Sequence, residues 1–171
     1  DDLLRDADHA MYCTKQLGRQ GYTLFNHELR INQADQLALE SELRRALEEE
    51  GQLQPYFQPF IDGHSGELVG FEALARWQHP LRGLISPGLF LPIAEESGLI
   101  TRVDRYMINA ACRQLRLWLD EARVSRDIAL HINLSSANFH DPELVPWMRD
   151  IIDSYQLPAS ILHLEITESA L

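Results

Sequence analysis

The sequence predicts an α/β domain built around a mostly parallel β-sheet. Segments with the two-residue repeat of β-strands alternate with segments that carry the apolar stripe of amphipathic helices. That alternation is typical of parallel strands joined by crossover helices. Three of the strands also share a pattern in which one face is apolar and the other face becomes polar toward the carboxyl end. We therefore expect helices to cover one face of the sheet.

The composition restricts the function. The 171 residues include 15 basic and 26 acidic side chains, a net charge of −11, which argues against binding a DNA or RNA polymer through its phosphates. A nucleotide substrate stays possible, because a divalent metal can supply positive charge locally. No apolar run is long enough to span a membrane, and no signal peptide is present. Cys13 and Cys112 lack metal-ligand spacing and fit a reducing, cytoplasmic environment.

The first 50 residues are predicted to form two helices and a short strand. Helices are expected over residues 3–17 and about 34–50, and a strand over residues 21–25. The least patterned stretch, residues 26–33, is where we place a domain boundary. Because the chain opens with Asp1 and not with methionine, we expect it to belong to a longer protein, and a membrane tether upstream remains open.

A β-hairpin is predicted next. Residues 53–61 and 67–77 have strand patterns, and the turn-forming cluster at residues 62–66 separates them. Pro55 and Pro59 favour an edge position for the first of these strands, because proline cannot donate a backbone hydrogen bond.

Two further strands and three helices follow. Ser86-Pro87 marks the start of a helix that Gly98 ends. Thr101 to Asp104 matches the looser capping-box pattern and is expected to open a helix whose apolar stripe reaches Trp118. A third helix is expected from Asp141-Pro142, with Met148 in its apolar stripe. The strands cover residues 128–135 and 161–167.

The polar faces of three strands place candidate metal ligands near their carboxyl ends. Alternation assigns Glu72, Asn133 and Glu165 to these faces. In a parallel α/β barrel, the active site lies at the carboxyl ends of the strands. Two carboxylates and an amide oxygen are hard ligands that suit Mg²⁺ or Mn²⁺.

Two other interpretations of these faces exist. Each polar face could simply meet water. His131 and His163 share the polar faces and could suggest zinc, but no His-x-x-x-His or Cys-x-x-Cys spacing supports such a site. Packing or hydrogen bonding inside the barrel is the better interpretation for both histidines.

The segment Phe71-Glu72-Ala73-Leu74-Ala75-Arg76-Trp77 resembles the signature of the EAL family of bacterial cyclic-di-GMP phosphodiesterases. The similarity extends over about residues 53–171 and includes other family motifs in the same order. These motifs are Tyr56-Phe57-Gln58-Pro59, the segment 87–100, Asn133-Leu134-Ser135 and Leu164-Glu165-Ile166-Thr167-Glu168-Ser169.

The resemblance implies a fold and a reaction. The family fold is a modified TIM-like (β/α)₈ barrel whose first strand runs antiparallel, and this chain would hold only part of it. The implied reaction is the hydrolysis of cyclic di-GMP to linear pGpG with Mg²⁺ or Mn²⁺. A homodimer formed through the EAL domain is also implied.

The resemblance also implies roles for individual residues. Glu72, Asn133 and Glu165 correspond to metal ligands, and Glu72 and Glu165 thereby belong to the catalytic set. Glu168 corresponds to a carboxylate that anchors a catalytic loop, although a solvated carboxylate remains the alternative there. The expected substrate contacts are Gln58, Leu74 and Arg76.

The start of the chain has a second resemblance. Residues 3–12, Lys15 and residues 18–22 are similar to the closing helix and strand of a GGDEF (diguanylate cyclase) domain, whose signature itself is not in this chain. We therefore expect a GGDEF tail over residues 1–27, a linker with a helix over 28–52, and the first part of an EAL domain over 53–171.

The chain departs from the EAL pattern in one respect. The family requires an Asp-Asp-Phe-Gly loop, a catalytic lysine and a later glutamate, but the only lysine, Lys15, lies in the wrong domain. The fragment alone is therefore expected to be inactive. Two alternatives stay open for the complete protein: an active phosphodiesterase, or a degenerate module that binds cyclic di-GMP or a protein partner as a receptor.

Overall fold

The structure is a computed structural model that describes residues 27–166, with side chains from residue 35 onward. The helix expected over residues 3–17 and the strand over 21–25 lie outside this range. The elements, in chain order, are α1 His27–Ala46, β1 Leu53–Ile61, β2 Leu68–His79, β3 Gly83–Ile85, α2 Pro87–Glu96, α3 Ile100–Asp120, β4 Ala129–Leu134, α4 Ser136–Phe139, α5 Leu144–Ser154, a 3₁₀ turn Ala159–Ile161 and β5 Leu162–Ile166. The chain divides into two units, Asp1–Ser41 and Glu42–Leu171, and the sheet belongs to the second.

The sheet has the strand order β1-β2-β4-β5. β1 and β2 form the predicted antiparallel hairpin, in which Leu53 lies opposite Trp77. β2 pairs with β4 and β4 with β5 in parallel, so the predicted α/β fold with an antiparallel first strand is confirmed. Pro55 and Pro59 are tolerated because β1 lies at one end of this strand order and, within residues 27–166, pairs with β2 alone.

One strand was not predicted. β2 continues to His79, and the chain then turns at Gly83, which has a φ of +70°, and returns as β3 alongside β2. The imidazole Nδ1 of His79 accepts the backbone N–H groups of Leu81 and Arg82 at 3.1 and 3.0 Å. The His79 side chain therefore stabilises a turn that also contains Pro80 and Gly83.

The core lies between the sheet and the helices. Leu130 and Ile132 project from β4 into a cluster that includes Ile108 and Leu115 of α3, and all four side chains are almost completely buried. Met148 is buried in the same cluster, and Trp118 packs against its margin, so the prediction that both are core residues is confirmed. Burial of these side chains contributes most of the stability of this layer, at about 1.5–3 kcal/mol each.

Several helix boundaries differ from the prediction. α1 runs from His27 to Ala46, so it begins before residue 34 and ends before residue 50. The residues after Ala46 form turns, and Gly51 at a φ of +96° completes the change of direction. α5 begins at Leu144 and not at Asp141, because Asp141 Oδ1 accepts the Glu143 N–H at 2.9 Å in the turn before the helix. α4 was not predicted.

The capping box expected at Thr101 is wrong. α3 begins at Ile100, with Leu99 as its N-cap directly after Gly98 at a φ of +70°, and Thr101 already lies inside the helix. The Asp104 carboxylate, expected to cap the helix, instead accepts the Ser135 backbone N–H at 2.9 Å. The Asp104 side chain thus forms a tertiary hydrogen bond instead of capping its own helix.

Among residues 27–166, no helix combines the length and the apolar character needed to cross a bilayer.

Candidate functional site

The Glu-Ala-Leu segment lies in the middle of β2, where alternate side chains project to opposite faces of the sheet. Ala73 is buried against the core at 4% exposure, and Trp77 is fully buried. Glu72, Leu74 and Arg76 project to the opposite, half-buried face. The apolar residues therefore hold the strand in place while the intervening ones are presented on the polar face.

Two of the predicted ligands are in direct contact. The Asn133 side-chain Nδ2 donates a hydrogen bond of 2.9 Å to Glu72 Oε1 across the β2–β4 boundary. Neither residue is on the helix-covered side of the sheet, where Ile132 and Leu134 lie instead. Folding therefore brings together a carboxylate and an amide that are 61 residues apart in the sequence.

The third predicted ligand lies on the next strand. Glu165 is paired in register with Asn133, and its Oε1 lies 2.7 Å from the Nδ1 of His131. His131 is in turn the register partner of Glu72. Glu72, Asn133 and Glu165 thus lie on the same polar face of three adjacent strands.

The side-chain oxygens of Glu72, Asn133 and Glu165 are of the type that Mg²⁺ or Mn²⁺ binds. Two carboxylates and one amide on neighbouring strands are the hard oxygen donors that these cations prefer. Among the described residues, no group of three or more His, Cys, Asp or Glu side chains is arranged around a common metal position. The residues present therefore fit part of a divalent-cation site, to which further ligands would have to be added.

Arg76 is held next to the first strand. Its guanidinium lies 5.7 Å from the centre of the Tyr56 ring and donates to the Ala75 carbonyl at 2.8 Å. Gln58 is the register partner of Glu72 in the hairpin. The expected substrate contacts Gln58 and Arg76 therefore lie on the same hairpin as Glu72. The contact from Tyr56 was not predicted, although it occurs on the same alternating face as Gln58.

A cleft of about 230 Å³ opens where β2 and β4 diverge. The two strands pair only from Gly70 to Ala73 of β2, after which β2 turns toward β3. Both strands and the helices α2 and α3 contribute to the walls, and most of the lining is apolar. The lining includes Leu74, Arg76, Asp104, Asn133 and Ser135.

A buried network fixes the turn that follows Asn133. Asp104 Oδ2 accepts the backbone N–H of Ser135 at 2.9 Å, the hydroxyl of Ser135 at 2.5 Å and the Nδ2 group of Asn138 at 3.0 Å. Asp104 is 8% exposed and Asn138 is fully buried. This network fastens α3 to the end of β4, two residues beyond Asn133.

The sequence-predicted residues are placed as follows. The structure brings together Glu72, Asn133, Glu165 and Gln58 on one face, with Leu74 and Arg76 farther along β2. Glu168 lies outside the described residues. The contact between His131 and Glu165 was not predicted. The sequence indicated only that His131 would pack or form a hydrogen bond inside the barrel. Its alternation onto the face of Asn133, two residues away, was the available signal.

The fold and the site together define an α/β protein that presents polar residues on one face of three adjacent strands. The model of the EAL domain family matches residues 40–171, so the chain belongs to the EAL domain family.

Two relatives of the chain have names that give an enzymatic activity. The chain is 44% identical over 168 residues to the bifunctional diguanylate cyclase/cyclic di-GMP phosphodiesterase MucR of Pseudomonas aeruginosa, a match that covers 98% of this chain and 24% of that protein. It is 35% identical to the cyclic di-GMP phosphodiesterase NbdA of the same species, over 100% of this chain and 22% of that protein. The chain thus spans about a quarter of the length of these relatives.

Solved structures have the same fold. A PaMucR phosphodiesterase in a c-di-GMP complex superposes with a TM-score of 0.71 and 43% identity, covering 78% of this chain and 53% of that one. The FimX EAL domain of Xanthomonas citri in complex with c-diGMP gives a TM-score of 0.69 at 26% identity, with coverages of 82% and 53%.

Proposed function

We propose that this chain is the first part of a metal-dependent EAL phosphodiesterase that hydrolyses cyclic di-GMP to linear pGpG. The observation that carries the proposal is the contact between Glu72 and Asn133 on the polar face of adjacent strands. Relatives and solved neighbours whose names give cyclic di-GMP phosphodiesterase activity, or a c-di-GMP complex, support the same substrate.

Three residues are proposed to hold the cation. Glu72, Asn133 and Glu165 would bind Mg²⁺ or Mn²⁺ through their side-chain oxygens, and Glu72 and Glu165 thereby join the catalytic set. The cation, when bound, activates water for in-line attack on the phosphodiester. The carboxylates of Glu72 and Glu165 would hold the cation in position. The buried β2 side chains Ala73 and Trp77 fix the strand and therefore the position of Glu72.

Other residues of the chain are proposed to bind the substrate. Arg76 would neutralise a phosphate oxygen, since a guanidinium forms strong charge-assisted bonds with phosphates. Leu74 lines the cleft, and Gln58 lies opposite Glu72, so both are suitable for contacts with the nucleotide. Glu168 is proposed to anchor a catalytic loop.

The remaining catalytic groups are proposed to lie in other parts of a longer protein. Residues 40–171 contain no lysine, and the family requires one. The two family resemblances of the sequence also suggest an order of domains. We propose a GGDEF tail over residues 1–27, a linker over 28–52 and the first part of an EAL domain over 53–171. The name of MucR, whose match covers 98% of this chain, gives both a diguanylate cyclase and a phosphodiesterase, which supports the presence of both kinds of domain. A cytoplasmic homodimer is proposed for the EAL domain.

A receptor is the second candidate function. The absence of lysine from residues 40–171 favours it if the complete protein also lacks this group. A receptor would bind cyclic di-GMP without converting it to pGpG. Calorimetric binding of cyclic di-GMP, combined with chromatography of the same sample after incubation with Mn²⁺, separates the two candidates.

The Glu72→Ala variant of the full-length protein tests the proposed enzyme. Loss of a charged ligand should abolish conversion of cyclic di-GMP to pGpG while the fold is retained, because Glu72 contributes charge and little packing. Glu67→Ala is the matched control, because Glu67 is an exposed carboxylate directly before the first residue of β2. Wild-type turnover by Glu72→Ala would refute the assignment.

A further inference from the structure

One histidine of the polar face contacts a proposed metal ligand. His131 lies on β4, the strand between Glu72 on β2 and Glu165 on β5. Its Nδ1 atom is 2.7 Å from Glu165 Oε1, a distance typical of a strong hydrogen bond to a charged acceptor. Because a carboxylate oxygen can only accept, the imidazole donates through Nδ1.

Aromatic contacts keep this imidazole in place. The ring of His163 stacks on that of His131 at 4.7 Å, with an interplanar angle of 8°. Phe60 of β1 approaches the His131 ring at 5.0 Å and 78°. A ring held by neighbours from two other strands presents its N–H in a fixed direction, which packing alone would not require.

The two carboxylates are restrained in parallel ways. Asn133 donates to Oε1 of Glu72, and His131 donates to Oε1 of Glu165. Both donors are on β4, two residues apart, so this strand orients one carboxylate on each side of it. Each contact uses one oxygen of a group that has two.

We propose that His131 is a positioning residue that orients Glu165 toward the cation. This inference rests on the proposed function of Glu165 as a ligand. Groups that hydrogen-bond a metal ligand fix its orientation, and their removal typically lowers metal affinity or activity about 10–100-fold. Because His131 reaches the cation only through Glu165, it affects affinity and turnover without taking part in the reaction itself.

The experiment measures Mn²⁺ affinity by isothermal titration calorimetry in the full-length protein, in the absence of substrate. His131→Phe keeps a ring for stacking and removes the donor, and should weaken binding about 10–100-fold. His131→Asn places an amide donor near the position of Nδ1 and should recover most of the affinity. His163→Phe is the matched control, because it keeps the stack and leaves the His131–Glu165 bond intact.

A double-mutant cycle assigns the effect to Glu165. In a Glu165→Gln background, His131→Phe should cause little further loss of Mn²⁺ affinity, because the charged ligand that His131 orients has been removed. Additive losses, an equal loss in His163→Phe, or wild-type affinity in His131→Phe would each overturn the positioning role.

The same measurements distinguish a failure of the proposed metal site from a failure of the inference about His131. If Glu165→Gln alone binds Mn²⁺ as the wild type does, Glu165 is not a ligand, and both proposals on this residue are overturned. If Glu165→Gln loses affinity and His131→Phe does not, only the role of His131 is wrong. Should His131→Phe fail to fold by circular dichroism, the His131→Ala variant, which also removes the donor, and its cycle with Glu165→Gln decide the question.

Discussion

Removal of the Asp104 carboxylate should destabilise the protein more than removal of any exposed acid on the same helix. Asp104 is 8% exposed and accepts three hydrogen bonds, two from Ser135 and one from Asn138. A hydrogen bond to a charged group contributes about 1.5–3 kcal/mol net. Asp104→Ala also relieves the cost of burying a charge, so we expect a net loss of about 3 kcal/mol in the free energy of unfolding.

Asp120→Ala provides the matched control in α3. Asp120 is 59% exposed and pairs with Arg116 one helical turn away. An exposed pair of this spacing contributes about 0.3–0.5 kcal/mol, so its loss should be nearly neutral. Asp104→Asn, which retains one acceptor oxygen and the shape of the side chain, should fall between the two.

Urea unfolding followed by tryptophan fluorescence measures these differences. The midpoint should fall clearly for Asp104→Ala and little for Asp120→Ala, with the slope unchanged if only the native state is affected. Coincident midpoints for these two variants would show that the buried network does not stabilise the end of β4.

Three further outcomes follow from the structure. Gly70→Ala should cost about 1–3 kcal/mol, because the new Cβ would lie 2.9 Å from the Ala129 carbonyl oxygen; thermal unfolding would measure it. Burial raises the pKa of the Cys112 thiol from 9.0 to about 12, so a thiol reagent at pH 8 should label Cys112 only in urea. Its contribution to stability should be lost as the pH rises from about 9 to 12, because only the unfolded thiol then ionises. The 171-residue chain alone should form no pGpG with Mn²⁺ above a no-protein control, because it lacks the later catalytic residues.

The sheet and the faces of its strands could be predicted because they depend on local periodicity. The alternation that placed Glu72 and Asn133 on polar faces survives in the structure, where the two side chains are hydrogen-bonded. The hairpin was also predicted, because the turn-forming cluster at residues 62–66 separates two strand patterns.

Features that depend on tertiary contacts could not be predicted. Asp104 has the sequence pattern of a helix cap, yet a partner 31 residues away uses its carboxylate. His131 was recognised as lying inside the barrel, but only the pairing of β4 with β5 shows that it meets Glu165. The β2–β3 turn was missed although Pro80 and Gly83 lie in it, because the sequence does not show that the imidazole of His79 folds back onto the turn and stabilises it.

The location of bound Mn²⁺ tests the central claim most directly. Crystals of the full-length protein soaked in Mn²⁺ would be measured for anomalous scattering from the metal. The account predicts a peak coordinated by side-chain oxygens of Glu72, Asn133 and Glu165, with His131 still bonded to Glu165. A peak that none of these three residues coordinates would contradict it.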